Sequence, residues 1–211
     1  MKKIITLLVV LTFSMAFAQR TYDQYSLEAS YGLSHGMSKG ENSNITSFQH
    51  FDVGFRYMFN EYYGIKVDYG NDSFRVDEGG SKEGSNYHRF TVSGVYNIGR
   101  ALDLPYITGD WVNLIGHAGL GYSALQSTRK AGIDNIGNVV VGLRPQFWIS
   151  DQFAAHVDAS YVFNFTQHYN FDGTYPEAAP YTLNAFMGGI INLSAGITFY
   201  FGKNENDSDW R

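Results

Sequence analysis

Apolar and polar residues alternate along most of this chain with a period of two. Tyr25, Leu27, Ala29, Tyr31 and Leu33 share one side of an extended backbone, and Ser26, Glu28, Ser30, Gly32 and Ser34 the other. Successive side chains of a β-strand point to opposite faces, so the pattern predicts a strand with one apolar and one polar face. It recurs with apolar positions from Phe51 to Phe59, Tyr63 to Tyr69, Phe90 to Ile98, Leu114 to Tyr122, Val139 to Ile149, Phe153 to Phe163 and Ile191 to Phe201. Glycine dilutes the pattern most between Asn113 and Tyr122. The segments number about eight and run roughly ten residues, the length a tilted strand needs to cross a bilayer.

The connections differ in length. Asn60-Glu61 and Ser150-Asp151 are tight turns, and Gly99 to Trp111 is a moderate link. The links His35–Thr46, Asn71–Ser85, Gln126–Gly137 and Thr166–Met187 are longer and polar. Short turns on one side and long loops on the other mark an outer-membrane barrel, with both chain ends on the short-turn, periplasmic side. The predicted fold is all-β: an eight-stranded antiparallel up-and-down transmembrane β-barrel.

The position of the charges decides which face meets lipid. The apolar faces carry no Asp, Glu, Lys or Arg, whereas the opposite faces carry Glu28, Asp52, Asp68 and Asp158 with Arg56, Lys66, Arg89 and Arg144. A lysine or arginine facing lipid at mid-bilayer costs about 2–4 kcal/mol, which accounts for their exclusion from one face. A soluble barrel would point its apolar side inward and its charges outward. In hydrocarbon an open strand edge leaves backbone groups unpaired, so the sheet is expected to close. Tyr25, Phe59, Tyr63, Tyr96, Phe147, Phe153, Phe199 and Phe201 lie near strand ends, where an aromatic girdle meets headgroups.

Composition refines this picture. The chain has 16 Tyr, 16 Phe, 23 Gly, 4 Pro and no Cys, so a disulfide framework and thiolate chemistry are excluded. A net charge of -5 argues against nucleic acid as a partner. At the N-terminus, Lys2-Lys3 precede an apolar run from Ile4 to Phe13, followed by Ser14-Met15-Ala16-Phe17-Ala18. That is the plan of a secretory signal peptide, residues 1–18, with cleavage expected between Ala18 and Gln19. Residues 19–202 are then the barrel and 203–211 a polar, disordered periplasmic tail.

The last strand, Ser194-Ala195-Gly196-Ile197-Thr198-Phe199-Tyr200-Phe201, resembles the assembly signal of outer-membrane barrels, in which Ser194, Gly196, Phe199 and Phe201 hold the patterned positions. The chain as a whole resembles the small OmpA/OmpX-type barrels. That resemblance implies insertion among outer-membrane lipid and lipopolysaccharide, with the barrel-assembly machinery as a partner during biogenesis. OmpA proteins proper add a peptidoglycan-binding domain. The stretch Gly202–Trp210 looks like the start of the linker to one, and the likeness extends no further.

Three functional classes remain. The luminal charges, joined by His50, His117 and His156, form either a plug of satisfied ion pairs or a small gated ion path. Their balanced signs favour the plug, and eight strands leave a bore that side chains fill. A lipid-modifying enzyme would need a nucleophile, base and acid at the lipid interface. His88 has no such companions, and His156, Asp158 and Ser160 share a luminal face. The scattered histidines give no metal-site spacing, and no cofactor is expected. The long loops could bind an extracellular partner. Thr166–Met187 presents Tyr169, Phe171, Tyr175 and Tyr181, which either face outward or pack on the barrel mouth. The favoured reading is a non-enzymatic, monomeric envelope barrel.

Overall fold

The structure is a computed structural model that describes residues 23–38, 44–78, 81–129, 131–175, 185–203 and 207–210. The signal peptide and the Ala18–Gln19 junction lie outside the described residues. The alternating segments become β1 (Gln24–Met37), β2 (Ile45–Met58), β3 (Tyr63–Glu78), β4 (Ser81–Asn97), β5 (Val112–Ser127), β6 (Ile133–Ser150), β7 (Phe153–Gln167) and β8 (Phe186–Gly202). Each strand pairs antiparallel with the next. β8 returns to β1, from Gln24↔Gly202 to Met37↔Gly189, and closes the barrel. Every strand therefore has a neighbour on both sides, and no backbone edge faces lipid.

The register puts the two faces where the alternation predicts. Leu27, Phe55, Val92, Leu120, Leu143 and Ile197 lie on the outer wall, while Glu28, Arg56, Lys66, Arg144 and Asp158 are buried in the lumen. Aromatic pairs ring the periplasmic rim: Tyr25–Phe201 at 5.7 Å, Tyr63–Tyr96 at 5.2 Å and Phe153–Phe199 at 5.1 Å between centroids. Trp111 extends the ring by packing on Phe147 at 5.8 Å. Substituting Val92 by arginine is expected to destabilise the barrel by about 2–4 kcal/mol, because the guanidinium enters hydrocarbon. Urea unfolding in lipid vesicles checks this; a change within error of the parent would contradict an outward, lipid-exposed Val92.

The strands are longer than ten residues. They span 14 to 18, and the long loops expected at 71–85 and 126–137 are largely strand. Above the membrane the alternation continues with opposite sign. In β3 Phe74 points inward and is buried while Ser73 and Arg75 face out; in β4 Tyr87 is buried while Asn86 and His88 face out. Leu125 and Ile136 repeat this in β5 and β6. Beyond the bilayer the outer wall meets water, so the soluble-barrel polarity becomes the stable one.

The moderate link between β4 and β5 contains two helical turns, α1 (Ile98–Ala101) and α2 (Leu104–Thr108). Asn97 caps α1 by accepting the amide of Arg100 at 3.0 Å. A third turn, α3 (Asp207–Trp210), follows β8. Within the tail expected to be disordered over 203–211, the described residues Ser208, Asp209 and Trp210 are instead buried at the periplasmic mouth. The reason is Arg56, whose guanidinium has more donors than Glu28 accepts.

Candidate functional site: the barrel lumen

The lumen is filled in three layers. The lowest is α3. Arg56 donates from Nη1 and Nη2 to the Asp209 carboxylate at 3.0 and 2.7 Å, and the Tyr200 hydroxyl donates to it at 2.8 Å. Trp210 packs with Ala154 and Tyr200. Beside it Met58, Val95 and Ile115, apolar residues on the polar face of their strands, form a small buried cluster.

The middle layer is the charge network, and alternation places its members. Glu28 on β1 sits at the centre. Its Oε1 accepts from Arg56 Nε at 2.9 Å, and its Oε2 meets Lys66 Nζ at 3.1 Å and also pairs with Arg144. Lys66 reaches Asp68 at 2.7 Å, and Arg144 donates from Nε to Asp158 at 2.9 Å. His117 Nε2 lies 3.0 Å from the same Asp158 oxygen. Asp52 forms a second cluster beside this one: it accepts from Ser30 at 2.5 Å and faces His50 at 3.4 Å. His50 also bonds Asp72 at 2.6 Å. Arg89 is buried on β4 against Gly70 beside the network, and its Nη1 has no hydrogen-bond partner among the described residues.

Two members escaped the sequence reading. Asp72 fell in a segment read as loop, although it continues the parity of Asp68 and Gly70. Asp209 lay in the tail, and no strand pattern points to it.

The upper layer is apolar. Ile45, Phe74, Tyr87, Leu125, Ile136, Val140, Val162 and Ile190 form one buried cluster with Phe171, which the last long loop contributes. The Phe171 ring meets Phe74 at 4.7 Å and Tyr87 at 6.0 Å. Its carbonyl accepts from Ser85 at 2.6 Å, and its amide donates to Ser38 at 3.1 Å. Gly173, at φ +81, closes the turn, and its amide donates to Asn170 O at 3.0 Å. A Cβ at Gly36 would stand 2.6 Å from the Phe171 ring, so only glycine there admits it. Of the four aromatic loop residues, Tyr169 and Phe171 therefore pack on the mouth, Tyr175 meets Tyr169 edge-on at 5.0 Å, and Tyr181 lies outside the described residues.

The catalytic candidates are engaged elsewhere. Asp158 serves Arg144 and His117, whereas His156 Nδ1 bonds Thr198 at 2.9 Å. On the outer wall His88 Nδ1 is held by Tyr69 at 2.8 Å and Asn71 at 2.9 Å. At the seam Ser194 donates to Ser30 at 3.3 Å, and Gly196 allows close approach, since a Cβ there would collide with Ala29 O. Phe199 and Phe201 face outward in the girdle, 6.0 Å apart.

A closed antiparallel barrel with an apolar outer wall, an aromatic rim and a charged interior defines the class: an integral protein of an outer membrane. The chain belongs to the outer membrane protein beta-barrel domain family, whose model matches residues 4–199. Among solved structures it is similar to Neisserial surface protein A, at 13% identity and TM-score 0.53, covering 84% of this chain and 97% of that one. A major outer membrane protein from Thermus thermophilus has the same identity and TM-score, covering 84% and 98%. The attachment invasion locus protein Ail of Yersinia pestis gives 18% identity and TM-score 0.49, covering 85% and 99%. No curated protein matches the chain.

Proposed function

We propose that this protein is a non-catalytic envelope barrel whose bore is closed and whose specific contacts are made by its extracellular loops. The observation that carries this reading is Glu28, buried and in contact with three cations, Arg56, Lys66 and Arg144. A carboxylate so placed ties side chains from β2, β3 and β6 together across the bore, which supports a closed rather than an open lumen. Buried charges satisfied by one another make a wall, and a selective pore would show an excess of one sign. The apolar layer around Phe171 adds a second barrier above it.

In this reading the outer wall contacts outer-membrane lipid and lipopolysaccharide. Ser194, Gly196, Phe199 and Phe201 present the assembly signal to the barrel-assembly machinery, and the protein acts as a monomer. Planar-bilayer recording tests the closed bore. The purified barrel is expected to show no steady conductance above lipid background. Large, persistent steps would overturn the plug and favour an ion-conducting pore. Comparing lipid A mass spectra with and without expression tests the absence of catalysis: unchanged acyl chains are expected.

A further inference from the structure

The periplasmic mouth is a recess whose wall comes from strands far apart in sequence: Gln24 on β1, Arg56 on β2, Asn97 at the end of β4, Ala154 on β7 and Tyr200 on β8. The segment in it is recognised through both backbone and side chains. Gln24 Oε1 accepts from the amide and the hydroxyl of Ser208, each at 2.9 Å, and Asn97 Nδ2 donates to Ser208 O at 2.8 Å. Arg56 grips Asp209 with a two-pronged contact, Tyr200 adds its hydroxyl, and Trp210 fills the apolar floor. Main-chain hydrogen bonds combined with a charged clamp and an aromatic pocket are the elements of peptide recognition.

Without the segment, two prongs of Arg56, the Tyr200 hydroxyl and the Asn97 amide would lose these partners inside the recess, and unmade buried bonds are costly. The wall also depends on closure. Gln24 and Arg56 belong to the first hairpin and Tyr200 to the last strand, and only the β1–β8 seam, with Ser26 opposite Tyr200, brings them together. We infer that the closed barrel's periplasmic mouth is a peptide-binding site for an acidic–aromatic Ser-Asp-Trp sequence, occupied in cis by Ser208–Trp210, and that this ligand docks only after the seam has formed.

The full chain allows a direct test, because it has 3 Trp and the other two, Trp111 and Trp148, are exposed where Trp210 is buried. In a Trp111→Phe, Trp148→Phe background the emission of Trp210 is expected to be blue-shifted and strongly protected from acrylamide, compared with a free peptide of residues 203–211. Asp209→Arg, which sets two guanidinium groups against each other, should raise quenching to the peptide's level while the folded gel mobility persists.

The vacated mouth should then bind the labelled 203–211 peptide saturably. Adding Arg56→Gln should weaken that binding roughly thirty-fold or more, the usual result of truncating a buried charge pair. Arg56→Lys, which keeps the charge without the fork, decides the matter if Arg56→Gln fails to fold, and is expected to bind measurably less tightly. During refolding, Trp210 burial should follow barrel closure. The proposal is overturned if Trp210 in the parent is quenched as freely as the peptide. It is also overturned if the folded Asp209→Arg barrel ignores the peptide or binds it regardless of residue 56, or if Trp210 is buried before closure.

Discussion

Replacing Glu28 by alanine is expected to lower the stability of the barrel by about 3–5 kcal/mol, the usual cost of breaking a buried pair and stranding its partner. Here three partners are stranded. Arg56 Nε keeps only the neutral Ser26 hydroxyl at 3.1 Å in place of a carboxylate, and among the described residues Lys66 retains the ion pair with Asp68 and Arg144 that with Asp158. Like charges that Glu28 had separated then face one another while buried. Glu28→Gln keeps the shape and should avoid part of the loss, since an amide oxygen still accepts from one donor. Glu61→Ala is the control. Its pair with Arg100, at 3.1 Å, is partly exposed at the periplasmic turn, and its removal should cost less than about 1 kcal/mol. Equilibrium urea unfolding in vesicles, followed by heat-modifiable mobility, measures all three. An alanine at position 28 as mild as one at 61 would show that the network contributes nothing to stability.

Phe171→Ala should be comparably severe, about 3–5 kcal/mol, but local. The ring is fully buried in the upper cluster against Phe74 and Tyr87, and its removal leaves a cavity there. The loop has other tethers, Ser85 to the Phe171 carbonyl and Ser127 to the Gly173 carbonyl at 2.8 Å. Loss of the ring is therefore expected to release 168–175 to protease while the membrane-embedded strands stay folded. Gly36→Ala, which pushes a methyl group into the ring, should act in the same direction. Limited proteolysis of intact vesicles separates local from global loss. Unchanged cleavage in both variants would mean that the loop is held by its polar tethers alone.

The membrane-embedded half was legible in the sequence because one rule governs most of it. Among its described residues no charged one faces outward and the charged ones face inward, with a few apolar exceptions such as Met58, Val95 and Ile115, so Glu28, Arg56, Lys66, Arg144 and Asp158 could be assigned to one face from parity. Which cation would meet which carboxylate was not legible, since that depends on strand stagger around the barrel. The extracellular half was missed for a definite reason. Phe74 and Tyr87 obey the same period as Lys66 and Arg89 but with inverted polarity, and a search for one sign reads the inversion as the end of a strand. The tail was missed for another. Asp209 and Trp210 have no periodicity, and their place follows from a recess that exists only once the ends of the chain are joined. Phe171 illustrates both difficulties, being a loop residue whose pocket is made by the inverted strands.

The change of polarity along each strand has a mechanical meaning. Crossing the bilayer takes about 9–11 residues, yet β4 and β8 are 17 long and β6 is 18. The surplus is a hydrogen-bonded collar with an apolar cluster inside it, standing on the membrane like a turret. The strand ends at its top are held at fixed spacing by the ladder of hydrogen bonds between neighbouring strands. A chain segment that leaves one strand and enters the next therefore starts and ends on a rigid frame, and its closure costs less conformational freedom than it would between mobile ends.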